Sequence, residues 1–145
     1  MADLEVDLEL DGRFPSGEWT GFFLQPPSTS RHWMQLHLTF RAGVLTGQGS
    51  DWVGPFSLDG GYVLEDGRCW WIKRYTGQHD VSYSGYNEGK GIWGVWNIRA
   101  ALKGGFHIWP AGMADPTQSA LSQTEQAPVE SVGPRTITRR TFIGR

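Results

Sequence analysis

The chain has 145 residues, a formal net charge of −2 and a single cysteine, Cys69. That length suggests one domain, the charge lacks the basic footprint of a nucleic-acid binder, and one cysteine rules out an intrachain disulfide. No apolar run reaches the ~20 residues that a helix needs to cross a bilayer.

The N-terminal stretch alternates. Leu4, Val6, Leu8 and Leu10 share one face, and Asp3, Glu5, Asp7, Glu9 and Asp11 the other, which predicts a strand over 3–11 with one wet, acidic face. It has neither the basic start nor the apolar stretch of a signal peptide, so a cytoplasmic protein is expected. Residues 1–16 are taken as this strand and its lead-in, broken by Gly12 and by Phe14-Pro15-Ser16-Gly17.

A ladder of short segments with period two follows, each ending in Gly, Asp, Asn or Pro. Strands are predicted near 18–25, 32–41, 44–51, 54–59, 68–76, 79–87, 91–99 and 104–110. Tyr62-Val63-Leu64, bracketed by Asp59-Gly60-Gly61 and Asp66-Gly67, is a candidate for a further short strand. Arg41-Ala42-Gly43 and the segment 87–91 mark hairpin connections, and Pro26 to Ser30 a loop at a barrel mouth. About eight strands in roughly ninety residues, with eight Trp and twenty Gly in the chain, predict an all-β, eight-stranded antiparallel up-and-down barrel over 17–110. Residues 111–145 form a linker and a basic tail with Arg135, Arg139, Arg140 and Arg145. Ala120 to Gln123 is a candidate helical turn within the linker.

Alternation also sorts side chains into lining and skin. The inward set is His32, Met34, Leu36, Leu38 and Phe40; Trp19, Gly21 and Phe23; Leu45, Gly47, Gly49 and Asp51; Trp71, Lys73 and Tyr75; His79, Val81, Tyr83 and Gly85; Ile92, Gly94, Trp96 and Ile98. On the fifth strand Trp70 and Ile72 would make an equally apolar face. The choice gathers Asp51, Lys73, Tyr75, His79 and Tyr83 at one end of the lumen. Two outcomes follow: a plugged core in which Lys73 pairs with Asp51, or a pocket in which these five residues orient a small, partly apolar ligand. The outward set, with Phe22, Trp33, Trp70, Ile72, Trp93, Val95 and Trp109, is apolar enough to predict a covering partner. Trp33, Trp70, Trp93 and Trp109 are the interface candidates, and a homo-oligomer is expected.

Gly17-Glu18-Trp19 resembles the Gly-x-Trp opening of calycins, the lipocalin, avidin and fatty-acid-binding groups. In those barrels the Trp closes the narrow end, a role the resemblance gives to Trp19. A longer pattern comprises Trp19 and Gly21; Gly47, Gly49 and Asp51; Gly54 and Phe56; Lys73, Tyr75, Gly77 and His79; Tyr83 and Gly85; Gly91, Ile92, Gly94 and Trp96. It is similar to a family of small calycin-like β-barrel domains over about residues 17–99. The resemblance implies the fold and carries over no activity. Lipocalin-type disulfides and the biotin-binding residues of avidins have no match here. A haem role of the nitrobindin kind would require His79 or His32 as axial ligand.

Tests for chemistry are mostly negative. His32, His37, His79 and His107 lie on separate strands without metal-ligand spacing, and Cys69 lacks a supporting His or Asn context, so neither a metal nor a nucleophile is assigned. No serine elbow or phosphate loop is present; His79 near Tyr83, Lys73 and Asp51 could host proton transfer, but nothing defines a reaction, so no catalytic residue or cofactor is assigned and a non-enzyme is favoured. Trp70, Arg74 and Trp93 could stack single-stranded bases, but the acidic first strand opposes nucleic acid. The basic tail is expected to pair, through Arg139 and Arg140, with Asp7 or Glu9 on its own or a neighbouring N-terminal strand; docking on a separate protein is the alternative. The leading expectation is a non-enzymatic barrel with a small-molecule ligand in its lumen. The alternative is a side-chain-filled module that binds partners through its Trp-rich outer wall and C-terminal tail.

Overall fold

The computed structural model describes residues 7–99 and 101–118. Eight antiparallel strands follow in chain order: β1 (Gly17–Leu24), β2 (Arg31–Arg41), β3 (Val44–Asp51), β4 (Gly54–Tyr62), β5 (Arg68–Tyr75), β6 (Asp80–Asn87), β7 (Ile92–Ile98) and β8 (Leu102–Pro110). Each pairs with its sequence neighbour, and β8 returns to β1 with Trp19 opposite Pro110 and Phe23 opposite Phe106. The barrel is closed and leaves no free edge. Short turns make this order possible. Ala42 and Gly43, both at positive φ (49° and 83°), form the two-residue β2–β3 turn, a conformation whose twist matches that of the flanking strands.

Strict alternation along β2 (Met34, Leu36, Leu38 and Phe40 buried; Trp33, Gln35 and His37 exposed) recurs around the barrel. On β5 the ambiguity is resolved in favour of Trp71, Lys73 and Tyr75 inside, with Trp70 outside. Cys69 is fully buried on the same inner face, and burial pushes its thiol up to about 12.

That shift has a stability consequence. An unfolded thiol ionises near 9, whereas the folded one keeps its proton to about 12. Stabilisation is complete below pH 9 and is lost as the pH rises through that window. Cys69→Ala is expected to remove about 2 kcal/mol of the decline between pH 8 and 10.5, read from urea midpoints. Parallel declines for the two chains would show that the thiol is not the cause.

Three expectations need correction. β4 does not stop at residue 59 but runs through Gly60 and Gly61 to Tyr62. The glycines sit where β4 crosses β5 closely, since a β-carbon on Gly60 would lie 1.9 Å from the Trp70 carbonyl oxygen. They permit that approach rather than break the strand.

The N-terminal stretch is not a regular strand over its described part. Leu8 forms one bridge to Arg41, Leu10 is 93% exposed, and Glu9 turns toward the barrel to accept a 2.7 Å hydrogen bond from the Tyr62 hydroxyl. A phenol at the barrel floor needs an acceptor, which a carboxylate supplies and a leucine cannot. Residues 1–6 lie outside the described residues, as do the candidate turn at 120–123, the tail arginines and hence the proposed tail pairing.

The third correction concerns the skin. Phe22 and Trp109 are buried, each 3% exposed, because the chain after β8 folds back and sets Met113 against them. The Arg31 guanidinium lies 4.3 Å over the Phe22 ring and 3.8 Å from Asp115, which fastens this cover. Trp109 is therefore covered by its own chain, while Trp33, Trp70 and Trp93 stay substantially exposed on β2, β5 and β7.

Candidate functional site

Because neighbouring strands alternate direction, one end of the lumen is set by the starts of β2, β4, β6 and β8 and the ends of the other four. The opposite end is solid. Trp19, Phe14, Phe40 and Tyr62 pack there with ring centroids 4.9–5.7 Å apart, and the Trp19 indole donates to the Pro15 carbonyl at 2.8 Å. Below it Arg13 pairs with Asp11 at 2.8 Å and holds that carboxyl down to about 2. Trp71, Tyr83 and Phe106 fill the waist, Trp71 and Tyr83 stacked at 5.2 Å and both in edge contact with Phe106.

Above the waist the lumen is not filled. A cavity of about 480 Å³ opens at the mouth, walled by Phe23, Trp52, Val53, Val81, Trp96 and Ile98. Its floor carries Lys73, Tyr75 and Tyr83, and its rim Gln25, Gln78, His79 and Leu102. Asp51 stands behind this floor with a fully buried side chain. One of its oxygens, Oδ2, accepts from the Lys73 ammonium at 2.9 Å and from the Tyr75 hydroxyl at 2.6 Å.

The Lys73 ammonium is held by more than its counter-ion. It lies 4.7–5.0 Å from the ring centroids of Phe56, Phe23, Tyr75 and Tyr83, and 3.5 Å from the Met34 sulfur. Ring faces offer a cation partial compensation for lost water. They do not restore all of it: burial lowers Lys73 to about 8, against the opposing pull of Asp51. Burial likewise raises the Tyr75 phenol, reinforced by its hydrogen bond to Asp51. Burial raises Tyr83 too, which is 3% exposed. Unlike Tyr75, the Tyr83 hydroxyl makes no hydrogen bond to any described residue. It lines the cavity, where water or an occupant can meet it.

No known protein family, curated protein or solved structure matches this chain.

Four of the five lumen residues singled out from the sequence meet at the cavity floor: Asp51, Lys73, Tyr75 and Tyr83. His79 does not join them. It precedes β6, is exposed, and sits at the rim with its ring 5.4 Å from that of Tyr75. The pleat that turns a strand residue inward does not bind a residue in the preceding turn. His32 packs its ring against Phe23 at 5.0 Å and Trp52 at 5.9 Å and is not part of the cavity wall. Among the described residues no group of three or more His, Cys, Asp or Glu side chains is placed to hold a metal ion.

Sequence reasoning missed Trp52, Val53, Gln25 and Gln78 altogether. All four lie in the turns between strands, where alternation carries no signal. Trp96 and Phe23, on the expected inner face, also wall the cavity. The Trp96 indole donates to the Leu24 carbonyl at 2.8 Å, which fixes its ring as cavity wall.

Proposed function

We propose that this protein is a calycin-like binding barrel that admits a small, partly apolar molecule through its mouth. The observation that carries this reading is the unfilled upper lumen, on whose floor Lys73, Tyr75 and Tyr83 converge. Mostly apolar walls with a few convergent polar groups are the usual composition of a small-molecule site. The Tyr83 hydroxyl reaches the cavity, so an occupant that carries an acceptor can take its hydrogen bond. Asp51 acts from behind, fixing Lys73 and Tyr75 in place.

A compound screen tests this. Trp52 and Trp96 line the cavity, so an occupant changes tryptophan fluorescence. At a hundred times its Kd it also adds about 2.7 kcal/mol to stability, enough to raise Tm by several degrees. The effects should vanish together in Val81→Trp, which puts a large ring into the cavity. A diverse library that moves neither signal would defeat the reading and favour the interaction module, whose exposed Trp33, Trp70 and Trp93 would then be the functional surface.

A further inference from the structure

We propose that Lys73 captures its ligand covalently, as a protonated imine, and that the ligand class is therefore a neutral, largely apolar aldehyde. This rests on the lumen-binding reading above and adds to it the identity of the reacting group.

The first support is charge. The cavity floor is already balanced, the Lys73 ammonium against the Asp51 carboxylate at 2.9 Å. An anionic ligand would set a second negative charge beside Asp51, and a cationic one a second positive charge beside Lys73. A neutral head group avoids both costs. The second support is hydrogen bonding. Asp51 Oδ2 already accepts from Lys73 and Tyr75, whereas the Tyr83 hydroxyl, bonded to no described residue, faces the cavity and can donate to a ligand. Lys73 and Tyr83 line the same cavity, with the Tyr83 ring centroid 5.0 Å from the Lys73 nitrogen, so one head group can engage both residues. A carbonyl is the head group that places an acceptor oxygen and an electrophilic carbon one bond apart.

The reaction balances without any further reagent. Asp51 accepts one proton from the ammonium, and the free amine adds its lone pair to the carbonyl carbon while Tyr83 supports the developing alkoxide. The oxygen takes up two protons in all and leaves as water when the C=N bond forms. Overall, ammonium plus aldehyde gives protonated imine plus water, with one positive charge on each side. The product nitrogen keeps an N–H⁺ for Asp51, so the buried pair is never permanently broken and the four rings still face a cation. Burial that lowers Lys73 to about 8 leaves about half of the chains with a free amine at that pH, whereas an exposed lysine holds almost none. An apolar site also favours loss of water from the intermediate.

The chain contains only three lysines, Lys73, Lys90 and Lys103, of which the latter two are exposed, so the test is a peptide map. The full chain is incubated at pH 8 with cinnamaldehyde and sodium cyanoborohydride, which reduces an imine to a stable secondary amine. The expected result is an adduct on Lys73 at least about tenfold above that on Lys90 or Lys103, despite their greater exposure. Lys73→Met should lose it, and Tyr83→Phe should slow it about tenfold. The map is read on the unaltered chain, so it stands even if Lys73→Met does not fold. Cinnamyl alcohol, the same shape without the carbonyl, is titrated in parallel by tryptophan fluorescence. Binding of the alcohol with Lys73 unlabelled by the aldehyde overturns imine capture and leaves the binding reading intact. Labelling of Lys90 and Lys103 alone overturns it too, and failure of both probes counts against capture and pocket together.

Discussion

Asp51→Ala is expected to cost about 3–5 kcal/mol of folding stability, because it strands the Lys73 ammonium without its counter-ion. Asp51 and Lys73 have side chains 0% and 1% exposed, so neither charge can turn to water. The aromatic faces and the Met34 sulfur offset only part of the desolvation. The pH dependence distinguishes this cause from simple loss of packing. An unfolded lysine holds its proton to about 10.5, whereas folded Lys73 releases it near 8, so between those values the unfolded state binds more protons and stability rises with pH. Without Asp51 the folded amine gives up its proton at still lower pH. The deficit of the variant should then shrink as the pH is raised through about 8, where both folded chains carry a neutral amine. Urea denaturation at pH 6, 7, 8 and 9 reads this directly. A deficit under 1 kcal/mol, or one that is the same at every pH, would mean that the pair is not what holds the floor. Removing both charges, as Asp51→Ala with Lys73→Met, should recover much of the loss.

The second large effect is expected at the closed end. Trp19→Ala should cost about 3–5 kcal/mol, the range for deleting a fully packed aromatic. Trp19 is 1% exposed, packs on Phe40 at 5.7 Å and ties β1 to the lead-in through its bond to Pro15. The neighbours cannot easily collapse into the gap, because Phe40 and Tyr62 are held by strands of the closed barrel and Phe14 packs on both. The cavity at the opposite end should be indifferent to this change: any compound that binds the parent should bind the variant under conditions where it stays folded. Stability unchanged within 1 kcal/mol would show that Trp19 is not a structural stopper, and lost binding in a folded variant would show that the two ends are coupled.

The site was legible to an uneven degree. Asp51, Lys73, Tyr75 and Tyr83 could be gathered from the sequence because each lies on a strand where the two-residue period assigns a face. Buried opposite charges in such a set are expected to meet, and Lys73 and Asp51 do. His79, expected inside, lies instead at the rim, because it stands one residue before β6. Alternation and acidity point Glu9 to water, yet it lies on the barrel and accepts from the Tyr62 hydroxyl. Trp109 was assigned to an open skin, but the segment around Met113 covers it.

Strand direction, strand number, the hairpin order and most of the inner residues were written in the chain itself, while the inner face of β5 was not. Each depends on period-two alternation and turn chemistry, which act over a few residues. Whether the lumen is filled was decided only in three dimensions. That outcome depends on how far side chains from all eight strands reach across a common axis: Trp71, Tyr83 and Phe106 meet and close the waist, whereas Phe23, Val81 and Trp96 leave about 480 Å³ between them. Volume of this kind is a sum over residues distant in sequence, and no local pattern encodes it.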